Sequence, residues 1–252
     1  MSSSIWTRCA GVSELGPLHL SPWRAVEAQH QVSTRKLVDS AEEQILLEQL
    51  IDAAKPHDPT GGGTHYLLAT PFRYPPLRHG SRFGRRYERG IWYGSESRRT
   101  TFADVAYYRL VFLEGSSADL GTVTTQLTAF TVRTRSARGV DLTAPPFDAH
   151  ARAIGSPASY ADSQALGSSM RADGVELFRY PSARDRRGDG VCVGAFVPSV
   201  FGNAKPRELQ TWHCTATRER VELAKRDYFG REAYAFERAE FLAKGVLPAP
   251  AV

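Results

Sequence analysis

Short runs of apolar, β-branched and aromatic residues recur from residue 65 onward, and they constrain the possible fold more than any other feature of the chain. Six such runs predict β-strands: His65–Phe72, Ile91–Tyr93, Thr122–Thr134, Val175–Tyr180, Val191–Val197 and Leu209–Thr217. Helical periodicity appears between them, over residues 102–113 and 161–172. Because strands and helices do not alternate regularly, the pattern predicts an α+β fold rather than a doubly wound sheet.

Residues 38–55 carry a third helical pattern, which Ser40 and Glu43 open as a capping box and Pro56 ends. A breaker segment at 59–63 follows it. One helix buries too little surface to fold alone, so we expect residues 1–60 to form an N-terminal helical extension. The main domain is expected over 61–235, and 236–252 is expected to be a C-terminal tail that is loose from Leu247 onward.

The other two helices have their own end signals. Thr101 precedes the first as a predicted N-cap, and Gly174 follows the second as a predicted C-terminal stop.

Composition excludes several classes of protein. The chain has 252 residues, of which 42% are hydrophobic and 23% charged, as in ordinary globular proteins. No apolar run reaches the roughly 20 residues of a spanning helix, and the first residues lack a secretory pattern, so we expect a cytoplasmic protein with no membrane partner. Three scattered cysteines and scattered histidines indicate neither disulfides nor a metal site.

Arginine dominates the positive charge. The chain has 32 basic and 27 acidic residues, a net charge of +5, and only five of the basic residues are lysine. Nine arginines fall in the stretch from Arg73 to Arg109, interleaved with eight tyrosine, phenylalanine and tryptophan residues. Arginine binds phosphates and aromatic rings stack on bases, so a nucleotide and single-stranded nucleic acid fit the stretch equally well. Composition alone favours a solvated arginine-rich surface over both.

Five ordered segments between residues 61 and 205 resemble the RES-domain family. They are Gly80–Phe83, Gly90–Ser95, Thr100–Tyr107, Arg138–Thr143 and Phe178–Asp185. The resemblance implies an ADP-ribosyltransferase-like fold, with a mixed β core and flanking helices. It also implies a toxin of a bacterial toxin-antitoxin pair that consumes NAD⁺ as a substrate without a metal. The implied partner is an Xre-type helix-turn-helix antitoxin, which would supply the only link to nucleic acid, and a homo-oligomer is possible.

The resemblance also implies the site residues. The family arginine falls on Arg82, its tyrosine on Tyr93 and its serine on Ser182, while Asp104 stands where the family has glutamate. Tyr93 follows Arg82 by 11 residues, and Asp104 follows Tyr93 by 11. Ser81, Arg82, Tyr93 and Ser182 are thereby implied to contact NAD⁺, with Arg82, Tyr93, Asp104 and Ser182 as catalytic residues. Asp104 reaches about 1.5 Å less far than glutamate, a difference that matters in catalysis.

Each of these residues also has a plain structural interpretation. Asp104 could cap a helix that starts at Thr101, Tyr93 could be a core residue, Arg82 a surface charge and Ser182 a turn residue. Two functions therefore stand side by side. One is an NAD⁺-consuming enzyme that depends on Asp104. The other is a non-catalytic nucleic-acid- or nucleotide-binding module whose affinity falls steeply with salt.

Overall fold

A computed structural model describes residues 4–28, 37–58, 60–74, 76, 78–185, 187, 190–226 and 231–249. One ten-stranded sheet dominates this part of the chain, and six α-helices accompany it. The mixture confirms the α+β class. Within the described ranges, no helix combines the length and the apolar character that crossing a membrane requires.

The strands are β1 (Gly16–Leu20), β2 (Trp23–Glu27), β3 (Trp92–Ser95), β4 (Val123–Thr131), β5 (Thr134–Asp141), β6 (Leu177–Pro181), β7 (Val191–Ala195), β8 (Arg207–Ala216), β9 (Arg220–Arg226) and β10 (Arg231–Glu237). Across the sheet their order is β1-β5-β6-β7-β3-β2-β4-β8-β9-β10. Neighbours are antiparallel, except that β5 and β6 run parallel. Five of the six runs predicted as strands contain strands.

The helices are α1 (Ile5–Arg8), α2 (Ala41–Ala54), α3 (Tyr66–Arg73), α4 (Arg98–Gly115), α5 (Ala151–Ile154) and α6 (Ala161–Ala172). Helix α6 matches its predicted range, and α2 begins with the predicted capping box of Ser40 and Glu43. Helix α4 is longer than predicted. Its N-cap is Ser97, whose hydroxyl accepts the N–H of Thr100 at 3.1 Å, so the prediction of Thr101 as the cap is wrong.

The run His65–Phe72, predicted as a strand, is helix α3. The imidazole of His65 accepts the N–H of Leu67 at 3.3 Å and caps the helix. Leu67, Leu68 and Phe72 are buried against the sheet. A short apolar run fits a buried helix as well as a buried strand, and here the histidine cap and the tertiary contacts favour the helix.

The expectation of a purely helical N-terminal extension is wrong, because two strands precede α2. Strand β2 lies inside the sheet between β3 and β4, and β1 forms one edge by pairing with β5. Trp6 of α1 is 3% exposed, and its indole N–H donates to Asp173 at 2.6 Å. The start of the chain is thus part of the main core. The patterns of β1 and β2 are short and carry only weak alternation, so the sequence did not reveal them.

The C-terminal tail is also more ordered than expected. Strand β10 runs across the predicted boundary at 235, and Phe241 and Leu247 are buried. The Tyr107 hydroxyl of α4 donates to the carbonyl of Pro248. A loose end from Leu247 is therefore wrong, because Leu247 packs into the core cluster beneath α4.

Helices α3 and α4 cover opposite faces of the sheet. Consecutive residues of β4 alternate between them, with Ala129 in the cluster under α4 and Phe130 in the cluster under α3. Phe102 of α4 packs on Trp212 of β8, with ring centroids 4.6 Å apart. This contact fixes α4 across the middle of the sheet, beside β2 and β3.

Candidate active site

A cleft of about 740 Å³ opens beside helix α4, between that helix, strands β2 and β3, and the loop before β3. Asp104, Tyr108 and Phe112 line it at four-residue spacing, so they share one face of the helix. At a rise of 1.5 Å per residue, these three side chains cover about 12 Å of the cleft. The cleft is therefore long enough for an extended ligand.

Asp104 lies in the second turn of α4, beyond the reach of the helix N-cap, so the prediction that it caps the helix is wrong. The Cys192 thiol of β7 donates to its Oδ2 at 3.8 Å, and Ser95 Oγ lies 3.6 Å from the same sulfur. Burial raises the pKa of Asp104, and the positive charges of Arg82 and Arg184 partly offset that effect. The half-buried carboxylate of Asp104 thus lines the cleft, and the charges of two arginines act on it.

Arg82 is held firmly rather than solvated, so its interpretation as a surface charge is wrong. Its Nη1 donates to the carbonyl of Ser156 at 2.8 Å and to that of Ile154 at 3.4 Å. Its guanidinium lies 4.7 Å from the ring centroid of Tyr160. Burial alone would lower the pKa of Arg82, but the negative potential of Tyr160, Tyr180 and Asp104 raises it overall.

Tyr93 links β3 to the loop that carries Arg82. Its hydroxyl shares a hydrogen bond of 2.9 Å with Ser81 Oγ and accepts the N–H of Phe83 at 3.1 Å. Burial raises the pKa of Tyr93 to about 12, so the phenol stays neutral at physiological pH. The hydroxyl is therefore engaged in hydrogen bonds within the protein rather than with solvent. Through these bonds it holds both residues that flank Arg82.

The turn around Arg82 is tight, and glycine makes it possible. Gly80 has φ +73°, and a Cβ there would lie 2.3 Å from the carbonyl oxygen of Gly84. Ser81 and Gly84 pair as an isolated β-bridge. Only glycine fits at position 80 without a shift of the backbone. The predicted site arginine is thus presented by a rigid loop.

Ser182 behaves as the turn interpretation predicts. Its hydroxyl accepts the backbone N–H groups of Asp185 at 3.0 Å and Arg184 at 3.2 Å, just after β6. It is not among the residues that line the cleft, whereas Ser81, Arg82, Tyr93 and Asp104 all are. Its hydroxyl nevertheless holds the turn that carries Arg184, whose positive charge lowers the pKa of Asp104. The structure therefore brings four of the five predicted site residues into one cleft.

Three further arginines line the cleft, Arg24, Arg109 and Arg184, and none of them was selected as a site residue from the sequence. Arg184 is 4% exposed, its Nη1 donates to the Pro157 carbonyl at 2.9 Å, and its guanidinium carbon lies 3.4 Å from the ring centroid of Tyr107. It falls inside the segment Phe178–Asp185, so that motif contained a usable signal. Arg24 comes from β2, in a region whose sequence pattern indicated only a helix.

The fold and the cleft define an α+β protein with an arginine-rich site of nucleotide size. A family model described as the RES domain matches residues 56–217, and the chain belongs to the RES-domain family. A search of curated proteins gives no match. Among solved structures, the chain is similar to one in the crystal structure of the M. tuberculosis MbcT-MbcA toxin-antitoxin complex. The identity is 13% and the TM-score 0.46, over 81% of this chain and 88% of that chain.

Proposed function

We propose that this protein is a RES-type toxin that cleaves the nicotinamide–ribose bond of NAD⁺. The observation that carries the proposal is the joint position of Asp104, Arg82 and Tyr93 on one cleft, in the order that the family resemblance implies. Separately, each residue has a structural role. Together they place a carboxylate of raised pKa next to a fixed cation and a neutral phenol in a site of suitable size.

The reaction breaks the bond between the nicotinamide nitrogen and C1′ of the ribose. The bonding electron pair leaves with nicotinamide, which departs neutral, and positive charge develops on the sugar ring. The Asp104 carboxylate stabilises that charge through its field, and burial strengthens the effect because little water screens it. The group therefore acts only when ionised, so activity declines as pH falls through its raised pKa.

Arg82 and Tyr93 hold the substrate in this scheme. Arg82 presents its guanidinium to a phosphate or ribose oxygen from the rigid loop at 80–84, and the Tyr93 ring lies beside the nicotinamide. Ser182 acts indirectly, by holding the turn that carries Arg184. The acceptor of ADP-ribose is water, inorganic phosphate or a protein side chain. With water, its hydroxide portion bonds to C1′ and one proton is released.

The partner that fits this site is an antitoxin of the Xre type, with the cytoplasm as the place of action. Three exposed arginines, Arg85, Arg86 and Arg89, follow in the chain directly after the loop that carries Arg82. An acidic or carboxylate-ended segment would complement this positive mouth. A complex in which activity is blocked while Arg82 stays open to solvent would contradict this part of the proposal.

The testing experiment follows NAD⁺ loss and nicotinamide release by the purified protein, with and without inorganic phosphate, beside Asp104→Ala. We expect turnover by the wild-type protein and its loss in the variant. Phosphate dependence identifies phosphorolysis. Binding of single-stranded nucleic acid that falls steeply with salt and ignores Asp104→Ala, together with no NAD⁺ turnover, would favour the non-catalytic binding module instead.

A further inference from the structure

The C-terminal residues that follow the matched family segment pack beneath helix α4. A tight turn at Lys244 and Gly245, with φ +53° and +80°, returns the chain to the core. Leu247 is 6% exposed there, and the Pro248 carbonyl accepts a hydrogen bond from the Tyr107 hydroxyl of α4. The matched family segment ends at residue 217, so this part of the chain lies outside it.

Tyr107 connects the C-terminal segment to an arginine of the cleft. The guanidinium carbon of Arg184 lies 3.4 Å from the ring centroid of Tyr107, and the Phe241 centroid lies 6.1 Å from that of the same ring. A buried phenol needs a hydrogen-bond partner, and Pro248 supplies one. The C-terminal segment thus fixes the ring on which Arg184 rests.

A second contact from the same segment reaches the turn that carries Arg184. Glu240 pairs with Arg99 of α4 at 3.8 Å, and Arg99 pairs with Asp185 at 3.3 Å. Asp185 is 7% exposed and also accepts the Thr100 hydroxyl at 2.9 Å. Because Asp185 follows Arg184 directly in the chain, this series of contacts holds the backbone of the turn.

Arg184 depends on such support. Its Nη1 donates to the Pro157 carbonyl at 2.9 Å, whereas its Nη2 is shielded from solvent and has no hydrogen-bond partner among the described residues. A long, flexible side chain with one such bond needs packing to stay in one conformation. The positive charge of Arg184 lowers the pKa of Asp104, so its position matters to the cleft.

We propose that the C-terminal segment 238–248 fixes the position of Arg184 at the cleft, with Tyr107 and Glu240 as its positioning residues. Tyr107 holds the side chain, and Glu240 holds the turn. The inference rests on the proposed function, because Arg184 acts on the Asp104 carboxylate to which that function is assigned. Neither Tyr107 nor Glu240 lines the cleft, so both act through Arg184 rather than on the substrate.

The test measures the pKa of the Asp104 carboxyl group by carbon-13 NMR in the purified protein, with Asp104→Asn to assign its resonance. Tyr107→Phe keeps the ring and loses the hydroxyl, and Arg184→Gln removes the charge. Tyr234→Phe is the matched control, because Tyr234 packs against the same core cluster and its hydroxyl donates to Glu232 at 2.7 Å. Thermal unfolding verifies that each variant is folded.

Several titratable groups surround Asp104. They are Arg82, Arg184 and Asp185, Cys192 of β7, Tyr180 of β6, and Tyr107 and Tyr108 of α4. Burial raises the pKa of Cys192 and of Tyr107 to about 12, and it raises the pKa of the other two phenols as well. A titration between acid and neutral pH therefore reports a carboxyl group, and the Asp104→Asn spectrum identifies which one.

We expect the pKa of Asp104 to rise in Arg184→Gln and to rise less in Tyr107→Phe and Glu240→Gln, because a displaced cation stabilises the carboxylate less. Tyr234→Phe should leave it unchanged. Adding Tyr107→Phe to Arg184→Gln should have no further effect, since the two residues act through one group. Nicotinamide release by Tyr107→Phe should fall about threefold to tenfold on the acid side of its pH profile and less at neutral pH.

An unchanged Asp104 pKa in Tyr107→Phe would overturn the assignment of Tyr107, and the same result in Glu240→Gln would overturn that of Glu240. A full Tyr107→Phe effect in the Arg184→Gln background would mean that Tyr107 does not act through Arg184. Failure of the proposed function looks different. If the pKa of Asp104 shifts as expected but the wild-type protein releases no nicotinamide, the positioning of Arg184 stands and the reaction assigned to the cleft is wrong.

Discussion

Helices α2 and α4 begin in the same way: each follows a serine whose hydroxyl accepts the backbone N–H three residues further on at 3.1 Å. The two helices nevertheless lie in opposite environments. Helix α4 buries eight residues, including Phe102 and Leu110, whereas α2 buries none. Leu50 of α2 is 59% exposed. Local signals thus decide that a helix forms, while the surface it meets decides whether its side chains are desolvated. Chemistry that depends on a desolvated carboxylate is possible on α4 and not on α2.

The largest expected effect separates one acidic residue on each helix. Asp104→Asn should lower the rate of nicotinamide release by about 10²- to 10³-fold, because it removes the charge that stabilises the sugar cation. Glu43→Gln on α2 should leave the rate unchanged. Steady-state kinetics with NAD⁺ measure both, and equal rates for the two variants would refute the assignment.

The same substitution should not lower the free energy of unfolding. Burial raises the pKa of Asp104, so ionisation of this group costs the folded state free energy at any pH above the pKa of an unfolded aspartate. A neutral asparagine removes that cost at neutral pH. Denaturant unfolding of Asp104→Asn at pH 7 measures it. A marked loss of stability would indicate a structural role for the carboxylate.

The next effect concerns packing. Phe102→Ala in α4 should cost about 3–5 kcal/mol of unfolding free energy, because it opens a cavity against Trp212. Leu50→Ala in α2 should stay within about 0.5 kcal/mol, since the side chain is exposed. Urea unfolding of the two variants tests the difference. A comparable cost at Leu50 would mean that α2 packs on another surface in solution.

A smaller effect is expected in the pH profile. The thiol of Cys192 donates to Asp104 and so favours the ionised carboxylate, which lowers the pKa of Asp104. Cys192→Ala should move the acid limb of the activity profile to higher pH, and Cys192→Ser should restore it because a hydroxyl also donates. Nicotinamide release measured across acid to neutral pH checks this. An unmoved limb in the alanine variant would show that the thiol contributes only packing.

The smallest effect compares the two caps. Ser97→Ala should cost about 0.5–2 kcal/mol of global stability, because α4 unfolds with the core. Ser40→Ala should leave the global midpoint unchanged and increase amide exchange only within α2, since that helix can open locally. Hydrogen exchange combined with thermal unfolding distinguishes the two responses. A drop in the global midpoint for Ser40→Ala would contradict the comparison.

The sequence was most informative where local signals and the fold agree. The range of α6, the capping box of α2 and the strands that carry Tyr93 and Cys192 follow from periodicity, caps and turn residues. The convergence of Arg82, Tyr93 and Asp104 followed from their order in a family pattern, because composition alone fits several ligands. Their catalytic roles stay predictions.

The remaining features depend on long-range contacts. Arg24 lies 80 residues before Asp104 in the chain, and only the insertion of β2 between β3 and β4 brings it to the cleft. The apolar pattern of α3 fits a strand as well as a helix, and the contacts of its side chains with the sheet favour the helix. The exposure of α2 is equally invisible in its amphipathic sequence. In each case a partner distant in the chain supplies the deciding free energy.

The most direct test of the account is equilibrium binding of NAD⁺ to Asp104→Asn, in which binding is separated from turnover. We expect saturable binding at one site per chain, competition by ADP-ribose, and no nicotinamide release during the measurement. Absence of NAD⁺ binding by a folded Asp104→Asn protein would contradict it, and so would unaltered NAD⁺ turnover by that variant or no turnover by the wild type.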